Sequence, residues 1–157
     1  MSAAGQILRK VSVQAEAFDV ATEIAALSKS HGDLGAVTSF VGLCRNENGK
    51  LAALEIEHYP GMAEAEIDRV VDRAIARWPL MGVTIIHRFG RIAPGEQIVL
   101  VVTSGAHRAE AFSAADFLMD YLKTSAPFWK RQHWVDGAPG DWVEAKGSDD
   151  AAASRLD

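Results

Sequence analysis

Apolar residues recur along this chain with two different periods, and the breaks between them fall at glycine and proline. Ile7–Val13 reads as a short strand. Asp19 precedes Val20, Ile24 and Leu27, which share one face of a helix that stops near Gly32. Ala36–Leu43 is a mostly apolar strand, and Asn48-Gly49 is a tight-turn dipeptide. Beyond it, Ala52, Leu54, Ile56 and His58 alternate with Ala53, Glu55, Glu57 and Tyr59. That alternation predicts a half-exposed strand of an antiparallel sheet.

Tyr59-Pro60-Gly61 ends this strand. Ile67, Val70, Val71, Ala74 and Trp78 then recur near helical spacing, so a helix is predicted over Met62–Trp78, with Pro79 ending it. Val83–Arg88 and Gln97–Thr103 read as strands joined through the turn Ala93-Pro94-Gly95-Glu96. A third helix is predicted from His107 to Thr124, with Phe112, Ala115, Leu118, Met119 and Leu122 as its buried stripe. Ser104 is expected to cap it. Pro127 cannot continue that helix. Phe128–Val135 and Trp142–Ala145 read as a last pair of strands around a Gly- and Pro-rich turn. The sum is an α+β fold, with a mainly antiparallel sheet and helices packed on it. One domain is expected over 1–146, followed by a loose polar tail over 147–157.

Composition narrows the function. The 157 residues carry a net charge of -5, with 48% hydrophobic and 24% charged residues. This is the profile of a globular chain, and it argues against general nucleic-acid binding, which shows a basic footprint. The apolar runs are strand-sized, so no membrane segment is expected, and a cytoplasmic location is the default. The single cysteine, Cys44, has no CxxC partner and alternates with apolar strand positions, so it reads as a small buried hydrophobe. The five histidines show no paired spacing. No metal site and no cofactor is expected. GLCRNENGK at 42–50 fails as a phosphate loop, because the glycine spacing is wrong and Leu51 follows Lys50.

Against this acidic background a few cations stand out. His107 and Arg108 open the third helix, where the backbone dipole is already positive; an anion is the natural occupant of such a place. Lys123 lies four residues after Met119, at the edge of the apolar stripe. Lys130 and Arg131 follow Pro127, and Arg45 ends an apolar strand. Taken singly, each also reads as an ordinary surface cation.

Several long strings carry a resemblance. They are GAVTSFVGLCRN at 35–46, LEIEHYPGMAEAEI at 54–67, RWPLMGVTIIHRFGRIAPGEQIVLV at 77–101, HRAEAFSAADFLMDYLKTSAPFWKR at 107–131 and WVEA at 142–145. In these the chain resembles the large, catalytic subunit of molybdopterin synthase. The resemblance implies a fold of the α/β hammerhead type. It implies a sulfurtransferase that converts cyclic pyranopterin monophosphate into the dithiolene-bearing pterin. The sulfur comes from the C-terminal Gly-Gly thiocarboxylate of a small ubiquitin-like subunit, and the assembly is a homodimer within a heterotetramer. Matched to the family's motifs, Lys123 and Lys130 are the catalytic lysines. Arg45, His107, Arg108, Arg131 and Gln132 bind substrate, and Phe40 and Met119 wall the pocket for the partner's tail. Leu43 stands where some members have lysine, and Cys44 where valine is common.

The chemistry fits those residue types. A phosphate-bearing pterin and a thiocarboxylate repel each other, and cations offset that repulsion and stabilise oxyanion character as sulfur leaves the glycine carbonyl. A lysine acting as a free base at neutral pH would need its pKa lowered by about three from the ordinary ~10.4. Charged lysines that position the anions are therefore the first expectation. Two other classes use the same cations: a phosphate-ligand sensor and a scaffold that only holds a ubiquitin-like tail. Incorporation of sulfur into the pterin separates the enzyme from both.

Overall fold

The computed structural model describes residues 6–29 and 32–144. Its elements run β1 (Leu8–Gln14), α1 (Val20–Ser28), β2 (Ala36–Leu43), β3 (Leu51–His58), α2 (Met62–Arg77), β4 (Leu80–Arg88), β5 (Gly90–Ile92), β6 (Gln97–Gly105), α3 (Arg108–Thr124), β7 (Phe128–Trp134) and β8 (Val143–Glu144). The strands form two four-stranded sheets, in the orders β1-β4-β6-β2 and β5-β3-β7-β8. β1 runs parallel to β4, and every other pairing is antiparallel. The expected α+β class with mainly antiparallel pairing is what the chain adopts.

β4 and β6 are apolar at nearly every position because both faces of the first sheet are covered. Ile86, Leu100 and Val102 pack with Phe18 and Leu27 beneath α1. The alternate residues Val83, Ile85, Val99 and Val101 face the larger core, where α2 and α3 contribute Ile67, Val71 and Leu118. The period of two along β4 therefore sends His87 to the same face as Val83 and Ile85. α2 buries Ile67, Val70, Val71 and Ala74, as its spacing predicts, and Trp78 leaves the helix in extended geometry before Pro79. Arg9 of β1 clamps that helix from outside through Asp68 and Asp72, at 3.0 and 2.7 Å.

Three expectations are corrected. Phe112 is 61% exposed, not buried. The buried arc of α3 centres on Ala111, Ala114, Leu118 and Leu122, with Phe117 and Tyr121 on its flank, so Phe112 lies beyond its edge. Ser104 does not cap α3. It sits buried inside β6, and His107 is the cap position. β3 is also less exposed than its alternation suggests, since it lies between β5 and β7 and Ala53 is 2% exposed. A register shift between Leu51 and Ala53 breaks the simple two-face pattern. The short strand β5 was not foreseen; its pairing with Leu54–Ile56 occupies the edge of β3. Ala145 and the tail expected from Gly147 lie outside the described residues. No described helix is long and apolar enough to cross a membrane.

Candidate active site

α3 and β7 bring the two lysines together. Thr124 ends α3, Ser125 caps it by donating its N–H to the Tyr121 carbonyl at 2.8 Å, and the chain turns through Pro127 into β7. Lys123 in the last helical turn and Lys130 in the new strand then line one narrow cleft of about 50 Å³. β2 supplies Phe40 and Gly42 as its far wall, and Met119 stands one helical turn before Lys123. Phe40 is 42% exposed, an unusual placement for a large apolar ring unless something covers it. Gly42 keeps the cleft open: a Cβ there would come within 2.7 Å of the Val99 Cγ1.

The other predicted residues lie around this cleft or away from it. β2 continues from Leu43, in the cleft, to Cys44 and Arg45, which line an open cavity of about 600 Å³ with Asn46–Asn48 and Pro94-Gly95. That volume matches a small-molecule site, whereas the lysine cleft suits only a slim group. The Arg45 side chain is 85% exposed and lies 3.5 Å from Glu47. Glu47 and Asn48 hold positive φ values of 52° and 57°, so the loop turns back sharply beside Arg45. Cys44 is 4% exposed, and burial together with Glu47 and Glu96 pushes its thiol up, away from the thiolate.

His107 and Arg108 are exposed at the start of α3. Glu110 closes the helix start, since its Oε1 accepts the His107 backbone N–H at 2.8 Å. Arg108 and Lys123 sit at opposite ends of the helix, about 22 Å apart along its axis. Within one chain the structure does not bring the His-Arg pair to the lysine cleft. Arg131 points to the opposite face of β7 from Lys130, because neighbouring strand residues alternate. Its guanidinium lies 5.4 Å from the Trp142 ring centroid, and its Nε donates to the Gly140 carbonyl at 3.1 Å. Gln132 shares the Lys130 face of the strand, and its backbone carbonyl accepts the Gly140 N–H.

One lining residue escaped the sequence reading. His87 is 3% exposed and faces the cleft between the lysines and Phe128. Burial drives its pKa down to about 3, with Lys130, His58 and Lys123 adding to the effect against the hydrogen bond to Arg88. It looked like one of five unrelated histidines. The signal that could have found it is its place at the end of the buried alternation Val83, Ile85, His87.

Fold and site together define an α+β protein with a narrow, partly apolar cleft that ends in cations and opens beside a larger cavity. The MoaE protein family model matches residues 13–125, and the chain belongs to that family. It is 63% identical over 145 residues to a molybdopterin synthase catalytic subunit of Mesorhizobium japonicum, covering 92% of this chain and 91% of that one. It is 57% identical over 147 residues to the protein of the same name from Brucella melitensis, covering 94% and 90%. Among solved structures it is similar to the molybdopterin biosynthesis MoaE protein of Burkholderia ambifaria, at 44% identity and a TM-score of 0.81, covering 94% of this chain and 97% of that one.

Proposed function

We propose that this chain is the catalytic subunit of a molybdopterin synthase in the cytoplasm. It takes sulfur from the C-terminal thiocarboxylate of a small ubiquitin-like subunit and delivers it to cyclic pyranopterin monophosphate. The observation that carries this reading is the meeting of Lys123 and Lys130 in a cleft walled by Phe40 and Met119. Apolar walls admit a Gly-Gly tail, whose lack of side chains lets its backbone pass closely. The ammonium groups then meet the terminal thiocarboxylate with charge-assisted hydrogen bonds.

For each sulfur moved, a carbon–sulfur bond to the pterin forms while a pterin carbon–oxygen bond breaks, its oxygen leaving as water, and the acyl carbon–sulfur bond to the terminal glycine breaks by hydrolysis. Water supplies the oxygen that leaves the glycine as a carboxylate. Lys123 and Lys130 hold the anionic sulfur and stabilise the oxyanion at the glycine carbonyl. The adjoining Arg45 cavity has the volume for the pterin and a cation for its phosphate. Gln132 shares the Lys130 face of β7 and would serve the bound substrate from the cleft's margin, whereas Arg131 sits on the opposite face of that strand against Trp142 and is not placed to do so.

The expected assembly is a large-subunit homodimer with one small subunit at each end. The geometry gives the dimer a chemical purpose. His107 and Arg108 lie about 22 Å from Lys123, so they reach a lysine cleft only if it belongs to a second copy. Mass spectrometry of the pterin tests the reaction, after mixing this chain with thiocarboxylated small subunit and pyranopterin monophosphate. A product with sulfur in place of oxygen is expected, and an unchanged pterin would overturn the reading.

A further inference from the structure

A second cavity, of about 290 Å³, lies in the groove between α2 and α3. Tyr121, which lines it, and Lys123 are two residues apart on α3, about 200° around the helix. This cavity and the lysine cleft therefore lie on opposite sides of α3. Glu66, Arg69, Val70 and Arg73 form its α2 wall. Their spacing of three and four residues puts them on one face of that helix.

The Tyr121 hydroxyl is the feature that packing alone leaves unexplained. The residue is 8% exposed, and its oxygen has no hydrogen-bond partner among the described residues. A buried hydroxyl of this kind costs stability, and native chains rarely carry one without a use for it. Glu66 and Arg69 are the charged groups that its ionisation senses, so the hydroxyl is directed toward the end of the cavity that they wall. Burial pushes its pKa up to about 12, with Glu66 adding to the effect. At neutral pH the hydroxyl keeps its proton and offers it as a donor.

The rest of the wall suits a charged acceptor. Arg69 pairs with Glu66 through Nη2, and a guanidinium carries further donors beyond that one. The two side chains are 74% and 36% exposed, so the pair can part without disturbing the core. Arg73 lies one turn further along α2, its guanidinium 5.4 Å from the Phe117 ring centroid. Two arginines and one hydroxyl thus border a single small space. Glu66 is the one acid in that wall; its carboxylate holds Arg69 as a bound oxyanion would, and so competes with one.

We propose that the α2–α3 cavity binds a small oxyanion, a phosphate or carboxylate group, between Arg69, Arg73 and the Tyr121 hydroxyl. The hydroxyl gains the acceptor it lacks, and Arg69 exchanges its internal carboxylate for the ligand's oxygens. The site uses none of the residues placed in sulfur transfer, so it stands or falls independently of that function.

The test is nitrogen-15 NMR of the arginine side chains in the full chain. Sodium phosphate and, separately, sodium acetate are titrated in at constant ionic strength, with sodium chloride as the control. The Arg69 and Arg73 resonances should move together and saturate in the millimolar range with at least one of the two anions, and chloride should leave them in place. The anion that saturates names the group the site prefers. Tyr121→Phe should weaken its binding about fivefold, the loss of one hydrogen bond. Glu66→Gln should tighten it severalfold, because the competing carboxylate is gone; a pair with a merely structural role gives no such gain. Arg69→Gln, at an exposed position, should abolish saturation at Arg73. Shifts that never saturate with either anion, equal affinity in Tyr121→Phe, or saturation that survives Arg69→Gln would overturn the site.

Discussion

The His87 imidazole of β4 lies flat against Phe128 of β7, 3.9 Å between centroids, where the two sheets meet, and both residues are nearly closed to solvent. Burial, with Lys130, His58 and Lys123 adding to it, favours the neutral ring, and its pKa falls from 6.5 to about 3. In the unfolded chain the same histidine titrates near its ordinary value. Above about pH 6.5 the ring is neutral in both states, and its burial costs nothing in protonation. As the pH falls from there toward 3, the unfolded state binds a proton that the native state refuses, and stability declines. The slope approaches about 1.4 kcal/mol per pH unit for this one group. Urea unfolding at pH 7.5 and pH 5 should therefore show the wild-type protein losing about 2 kcal/mol more than His87→Gln over that range. Equal losses would mean that the buried ring takes up its proton without unfolding.

Lys123→Ala and Lys130→Ala should each cut sulfur transfer about a hundredfold or more, the scale of removing one preorganised charge from a developing oxyanion. Neither change should unfold the protein. Lys123 is exposed, and alanine favours the helix in which it sits. Circular dichroism and product assays on the purified variants give the two readouts. Near-normal turnover in either variant would remove that lysine from the chemistry.

Most of the scaffold was legible in the sequence, because its elements obey one strong period each. α2 shows helical spacing from Ile67 to Ala74, and every residue on that stripe is buried. The misreadings come from places where tertiary packing decides. Phe112 fits the period of α3 but falls outside the arc that the first sheet covers. Ser104 has the chemistry of a cap, yet the strand runs on to Gly105 and leaves the cap position to His107. The candidate site was proposed only through long strings shared with a family. Spacing alone cannot show that Lys123 and Lys130 meet across a turn, nor that Arg108 lies far from both. His87 was silent, since a lone histidine at the end of a buried alternation has no local signature.

The separation of Arg108 from Lys123 leads to a complementation experiment. If the His-Arg pair serves the lysine cleft of a second copy, Arg108→Ala and Lys123→Ala should each be nearly inactive alone. Co-expressed in equal amounts they should form mixed dimers, each with one intact site, and regain about a quarter of wild-type activity. No regain, with mixed dimers confirmed by mass, would place the pair outside the catalytic site. Light scattering of this chain alone should give about twice the 16.9 kDa chain mass.

Tyr121 offers a stability test away from the chemistry. It is 8% exposed, its hydroxyl has no hydrogen-bond partner among the described residues, and burial pushes its pKa up to about 12. A buried hydroxyl left unpaired carries a desolvation cost that phenylalanine avoids. Tyr121→Phe should therefore raise stability by about 1 kcal/mol with sulfur transfer unchanged. A loss of stability on removing the hydroxyl would reveal a partner for it.

The narrowness of the lysine cleft makes the last prediction. Its free volume of about 50 Å³ leaves little room for side chains, so a tail of bare backbone fits it best. Deleting the terminal Gly-Gly of the small subunit should weaken its binding several-fold or more and abolish transfer, because the remaining polar rim adds area without much energy. Met119→Trp fills the same space from the other side and removes no charge. It should block transfer while leaving binding of the pterin intact, since the Arg45 cavity lies beyond Leu43 and is lined by other residues. Calorimetry with each ligand and the product assay separate the two effects. If the truncated partner bound as tightly as the intact one and Met119→Trp kept full activity, docking would depend on the outer surfaces of the subunits and not on tail insertion.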